Sequence, residues 1–281
     1  MGKIRIITDS ASDLGQYRED LTVLPLTVSF GDEEYLDGVT IDHHTFFEKL
    51  IESDVLPKTS LVSPGAFEEV FARGTEAGEE MIVITVSSKL SGTHQSAVIA
   101  AEDYENVHII DSYIVTIGQK ILVEYALSLV DQGMDAKSIV KEIEDAKNKI
   151  HVLGVLDTLE YLKKGGRISS TTALIGGALS IKPVVTVQDG EVKMIGKARG
   201  SKNGNNYLIK EVEKVDGVDF GKPFCLGYTG LDDSMLQKYI KDSKALWEGN
   251  TDELPICSIG AAIGTHVGPN AVAVAFFEKT K

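Results

Sequence analysis

Residues 81–94 read MIVITVSSKLSGTH, a nearly unbroken apolar run that stops in a cluster of small hydroxyl residues. A run with no polar alternation does not suit a strand with one wet face. It suits a strand covered on both faces, as in the interior of a parallel sheet. KIRIITDS (residues 3–10) and NVHIIDS (106–112) have the same character, and DLTVLPLTVSF (20–30) adds a fourth apolar run. Helical patterns separate them. Thr40–Ser53 carries Phe46, Phe47, Leu50 and Ile51 at helical spacing. Ser63-Pro64 pairs an N-cap with proline at the first helical position, ahead of Phe67, Val70 and Phe71. Gly92–Ala101 and Val115–Gln132 follow the next two strands. Strand alternating with helix predicts a doubly wound α/β sheet, with ligands bound beyond the carboxyl ends of the strands.

The pattern changes after a further helix, Asp135–Ile150. KPVVTVQDGEVKMIGKA (182–198) sets Asp189-Gly190 between two alternating runs, a strong hairpin signal. PFCLGYTG (223–230), LPICSIGAAI (254–263) and NAVAVAFFEK (270–279) read as further strands, with helices near Asn205–Val215 and Asp232–Ala245. This half reads as α+β with a largely antiparallel sheet. The expected division is an N-terminal α/β domain over 1–151 and a C-terminal α+β domain over 152–281, with a ligand between them. At 281 residues the chain is long enough for two cores.

Charge narrows the range of partners. The formal charge is −14, from 28 Lys and Arg against 42 Asp and Glu, which disfavours nucleic acid. Yet Glu160–Lys202 holds eight basic residues against three acidic ones, a local basic face on an acidic body. Cys225 and Cys257 sit in apolar runs and read as inert core thiols. The N-terminus lacks a signal-peptide pattern, and ILVEYALSLV (121–130), the longest apolar run, is interrupted by Glu124. We therefore expect a cytoplasmic protein without stable membrane insertion, transient membrane contact being allowed.

Three polar clusters carry the chemistry: Pro57-Lys58-Thr59-Ser60, the segment Ser87–His94 with Ser91, Gly92 and Thr93, and Gly264–Pro269 with His266. Hydroxyl residues ahead of a helix can cap its free N–H groups or help hold an anion there. Asp42-His43-His44 could suggest a metal, but adjacent side chains at a helix start diverge, so they read as polar groups facing solvent. The glycines at 165, 166, 176 and 177 read as serving loop geometry and close helix packing. No phosphate-binding glycine motif is present. Ser91, His266 and Asp9 can be drawn as a hydrolase triad, although Ser91 lies in KLSGT rather than in G-x-S-x-G.

DSASDL, LPLTVSF, YLDG, PKTS, SSKLSGTHQSA, LEYLKKGGRIS, IKPVV and GTHVGP occur in this order along nearly the whole chain. The ordered set resembles the DegV family. The resemblance implies a non-catalytic lipid-binding protein that holds a long-chain fatty acid between two domains, with no other cofactor and no metal. It also implies a fatty acid kinase partner that phosphorylates the bound carboxylate to an acyl phosphate. By motif position Thr59 and Ser91 would donate to the carboxylate, with His266 near it and Ser60, Gly92 and Thr93 alongside. The basic residues Arg167, Lys197 and Arg199 would dock the kinase. The chain departs from the family pattern at Leu61-Val62, where Gln-Pro is common, at His94 after SGT, at Asn270 after GP, and in the sparse basic run after Arg199.

Overall fold

The computed structural model describes residues 2–169 and 180–279. The N-terminal half runs β1 (Ile4–Asp9), β2 (Leu21–Leu24), β3 (Thr27–Phe30), β4 (Glu33–Leu36), α1 (His43–Glu52) and β5 (Lys58–Ser60). It continues with α2 (Pro64–Glu76), β6 (Glu80–Thr85), α3 (Thr93–Ala100), β7 (Val107–Asp111), α4 (Ile117–Asp131) and α5 (Ala136–Ala146). The C-terminal half runs β8 (Ile150–Val155), α6 (Glu160–Lys164), β9 (Ile181–Gln188), β10 (Glu191–Arg199), α7 (Gly200–Lys214) and β11 (Cys225–Tyr228). It ends with α8 (Ser234–Asp242), α9 (Lys244–Trp247), β12 (Ile256–Ser258), α10 (Ala261–Val267) and β13 (Val272–Phe277).

The expected parallel sheet is present, in the order β2-β1-β6-β7. Ile82, Val83 and Ile84 of β6 are fully buried, as a strand covered on both faces requires. The apolar run 20–30 is not one strand. Proline has no N–H for a ladder, and Pro25 breaks the run into β2, in the parallel sheet, and β3. β3 instead centres a small antiparallel sheet, β4-β3-β5, in which Val28 lies opposite Thr59. The cluster at Lys58–Ser60 is therefore itself a strand, not the end of one.

The second large sheet has the order β10-β9-β8-β13-β11-β12 and is antiparallel except between β11 and β12. Asp189 and Gly190 turn the β9–β10 hairpin with φ of 54° and 78°, the positive pair that a tight hairpin demands. Helix α4 is packed between the two large sheets. Ile117, Ile121, Leu122, Val123 and Ala126 share one core with Ile6 and Ile84 on one side and Val152, Ala275 and Phe277 on the other. A helix apolar on nearly all sides is explained by burial between two layers. Among the described residues no helix is long and apolar enough to cross a membrane. Both cysteines are free and buried.

Two expected elements are corrected. LPICSIGAAI is not a single strand. After β12 the chain turns at Gly260 into α10, because buried carboxylates seize the free N–H groups there. Asp13 accepts from Gly260 N at 2.8 Å, and Asp37 accepts from Ala261 N at 2.8 Å. The helix expected from Asn205 begins earlier, at Gly200. Gly204 lets it close on the sheet, since a Cβ there would lie 3.0 Å from Val155 Cγ1, and Asn205 donates to Asp242 at 2.8 Å. Gly176 and Gly177 lie outside the described residues.

Burial pushes the Asp13 carboxyl up to about 7 from the usual 3.8. A carboxyl raised in the folded state contributes stability at low pH that is lost as the pH climbs through the folded value. Asp13→Asn keeps the acceptor for Gly260 and never ionises. Its melting temperature relative to wild type should rise by several degrees between pH 5 and pH 8. A constant difference across that range, measured by scanning calorimetry, would refute the assignment.

Candidate functional site

Beyond the carboxyl ends of β1 and β6 lies a cavity of about 330 Å³, within the range of small-molecule sites. Its walls are mostly apolar: Leu26, Val86, Leu90, Val115, Leu162 and Ile263 are among them. Polar groups gather from separate elements. Thr59 and Ser60 come from β5, Ser91 and Gly92 from the turn before α3, His266 from the last turn of α10, and Arg167 from the segment after α6.

The hydrogen bonds give these groups direction. Thr59 Oγ1 and His266 Nε2 are 2.8 Å apart. His266 Nδ1 is buried and has no protein partner, and Gly165 packs so close that a Cβ there would lie 2.3 Å from it. Assigning the proton to Nε2 spares a buried, unpaired N–H. The ring then donates to Thr59, and the Thr59 hydroxyl proton is left to another acceptor. A second relay has the same form. Val62 N donates to Thr93 Oγ1 at 3.3 Å, Thr93 N donates to Ser91 Oγ at 3.2 Å, and the two hydroxyl oxygens lie 2.9 Å apart. With Thr93 donating to Ser91, the Ser91 hydroxyl proton is also left to another acceptor. Two hydroxyl protons at one end of an apolar cavity suit an acceptor-only head group such as a carboxylate.

Burial, helped by the Arg167 charge, lowers His266 from 6.5 to about 4, so the ring is neutral at pH 7. Arg167 supplies the nearby positive charge, while its guanidinium donates to Gly165 O at 2.6 Å and to Leu90 O at 3.2 Å.

Of the expected site residues, Thr59, Ser60, Ser91, Gly92 and His266 meet at this cavity. Thr93 stands behind Ser91. Arg167, read from charge as part of a docking face, lines the cavity. Lys197 and Arg199 lie on the exposed edge strand β10, whose end leads directly into α7. His266 sits in the last turn of its helix, so the N-terminal anion-site logic does not apply to its cluster. The triad geometry is missing: Ser91 bonds Thr93, His266 bonds Thr59, and Asp9 accepts from Ala11 N and Val86 N. His43 is half-buried and held in place. Its ring nitrogens each lie 2.7 Å from a carbonyl oxygen, of Ile259 and of Gly230. Among the described residues no group of three or more His, Cys, Asp or Glu is placed to hold a metal. Sequence reasoning missed Gly165 as the partner of His266. Its only signal was the paired glycine in KKGGRIS.

Comparison with known proteins gives a consistent result. Residues 3–279 match the family model described as an uncharacterised protein of the DegV family. A DegV domain-containing protein of Caldanaerobacter subterraneus subsp. tengcongensis is 37% identical over 99% of this chain and 100% of that protein. A solved structure reporting fatty acid binding of a DegV family protein from Thermus thermophilus superposes with a TM-score of 0.88 at 30% identity. It covers 99% of this chain and 100% of that one. A stearic-acid-binding protein from Eubacterium ventriosum gives a TM-score of 0.85 at 26% identity, covering 98% of both chains.

An imidazole NMR titration tests the electrostatics of the site. His266 should stay neutral from pH 5 to 8 and titrate near pH 4. Arg167→Gln should raise that midpoint by removing the nearby cation. A wild-type midpoint near the ordinary histidine value would mean that burial does not govern the ring.

Proposed function

The chain belongs to the DegV family, and from that premise we propose that it binds one long-chain fatty acid in the 330 Å³ cavity. Thr59 and Ser91 donate to the carboxylate. The observation that carries this reading is the pair of hydroxyls, Thr59 and Ser91, at the polar end of a mostly apolar cavity. A carboxylate taken out of water must be hydrogen-bonded, or its desolvation is prohibitive. Two hydroxyls backed by His266 and Thr93 meet that need. Each methylene buried from the tail contributes roughly 0.8 kcal/mol, so the tail supplies most of the affinity and the head group sets orientation. The relatives with solved structures support the ligand class, being described as fatty-acid-binding. On this reading residues 1–151 and 152–281 are two lobes that share the ligand, and the protein itself catalyses nothing.

We further propose that the carboxylate is presented to a fatty acid kinase, which forms the acyl phosphate. The docking face is now narrower than charge alone suggested. Register supports Lys197 and Arg199: they pair with Pro183 and Ile181 on β9, two and four residues before Val185. They therefore share a sheet face with Val185, which packs against Leu162 of the cavity wall. The shift between Met194 and Gly196 brings them onto it. A hydrolase reading is disfavoured by the missing Ser91–His266 bond.

Two measurements test this. Mass spectrometry of the organic extract should find a saturated or monounsaturated long-chain acid near one equivalent. In delipidated protein, Thr59→Ala and Ser91→Ala should each weaken acid binding by roughly tenfold or more, the loss of a charge-assisted bond, and methyl-ester binding much less. Equal losses for acid and ester would show that the hydroxyls do not hold the carboxylate. For the partner, Lys197→Glu with Arg199→Glu should suppress acyl-phosphate formation by a reconstituted kinase at unchanged fatty-acid affinity. Full activity of the double variant would remove these residues from the docking face.

A further inference from the structure

The β9–β10 hairpin parts from its sheet beyond Thr186, the last residue paired with β8, opposite Leu153. Its tip crosses to the N-terminal half. There the Ser87 hydroxyl donates to Gly190 O at 2.8 Å in a buried contact. The fit is tight: a Cβ on Gly190 would lie 2.6 Å from Ser87 Oγ, 2.8 Å from Tyr113 Cδ1 and 3.0 Å from Lys89 Cγ. Behind the tip, Val192 forms part of the wall of the ligand cavity. A second groove of about 680 Å³, lined in part by Thr186, Gln188 and Ile195, lies beside the hairpin. The receiving turn is the one that carries Ser91, since Leu90 N and Ser91 N donate to Ser87 O at 3.0 and 3.1 Å.

We propose that this hairpin is a lid over the cavity, latched by Ser87 and Gly190, and that the latch sets how fast ligand enters and leaves. The proposal rests on the fatty-acid reading. A contact that holds a wall shut in both free and bound protein adds to the barrier in both directions, so weakening it changes rates more than affinity. Gly190 serves the latch twice, through its positive φ of 78° and through its missing side chain.

Stopped-flow fluorescence with cis-parinaric acid, a naturally fluorescent polyunsaturated fatty acid, displaced by excess oleate, tests the lid on the delipidated full-length chain. Ser87→Ala should speed dissociation about fivefold, the worth of one neutral hydrogen bond. Gly190→Ala, which adds strain and a clash, should speed it by more. Association should quicken in parallel, so that affinity changes less than the rates. Asp189→Asn keeps a residue tolerant of positive φ in the same turn and should dissociate as wild type does. Wild-type rates in Ser87→Ala at wild-type affinity would overturn the lid and leave the fatty-acid reading intact. Equal acceleration in Asp189→Asn would overturn it too, by assigning the effect to general loosening of the hairpin. If Gly190→Ala fails to fold, Ser87→Ala decides. Wild-type protein that takes up no probe would overturn the ligand reading and the lid with it.

Discussion

The hydrogen bond of 2.8 Å between Thr59 and His266 joins residues 207 positions apart, and most of the architecture around the cavity serves to make it. Thr59 is placed by β5, which exists only because Pro25 frees β3 from the parallel sheet to receive it. His266 is placed by α10, and every side of that helix is held. Asp13 and Asp37 take its first N–H groups. Gly264 brings it against α1, where a Cβ would lie 2.6 Å from Phe46 and 2.8 Å from Phe47. Gly165 closes over the imidazole itself. A rotation of α10 by a fraction of a turn would break the contact, so the constraint reaches from the buried aspartates to the cavity.

The electrostatic character of the site follows from that placement. A histidine enclosed by backbone and apolar side chains loses its charge, and the nearby Arg167 drives it further the same way. His266 therefore orients Thr59 as a neutral donor and does not pair as a cation. On the proposed reading the carboxylate meets neutral donors at Thr59 and Ser91. A bidentate arginine would bind it more tightly and tie up both oxygens. Hydroxyl donors satisfy the anion with single, directional bonds and leave an oxygen lone pair free, as the proposed attack of the carboxylate on a phosphoryl group requires. Arg167 is held by the carbonyls of Gly165 and Leu90 at the cavity edge, where it supplies field more than contact.

Much of this was legible in the sequence, and the part that was not has a common cause. β1 and β6 read correctly because burial on both faces leaves a plain apolar run. The hairpin read correctly because Asp189-Gly190 is local turn chemistry. Thr59, Ser91 and His266 were found through ordered motifs, since no spacing along the chain announces that β5, the α3 turn and α10 meet. The misreadings lie where tertiary contact overrules local pattern. LPICSIGAAI reads as one strand, yet its last residues, from Ala261, begin a helix whose first N–H groups are taken by two aspartates more than 200 residues away. Asn270 shows the opposite case. At φ 61° it occupies a left-handed position, which glycine adopts freely and asparagine tolerates. That Arg167 also lines the cavity was not legible, because counting charge in a segment cannot show which way a side chain turns.

The turn from Ser87 to Gly92 connects these levels. It is the end of β6, so its position is inherited from the most deeply buried strand of the parallel sheet. Val86 N donates to Asp9 and Ser87 N donates to Ile114 O, which fixes its base. Onto that base come Arg167 at Leu90 O, Leu61 packed over Gly92, and Gly190 at the Ser87 hydroxyl. Three segments from elsewhere in the chain thus read the conformation of six residues that also carry Ser91. A ligand that draws on the Ser91 hydroxyl acts on the same turn that seats the hairpin tip. The head-group contact of the proposed site and the seat of the hairpin tip thus share one turn.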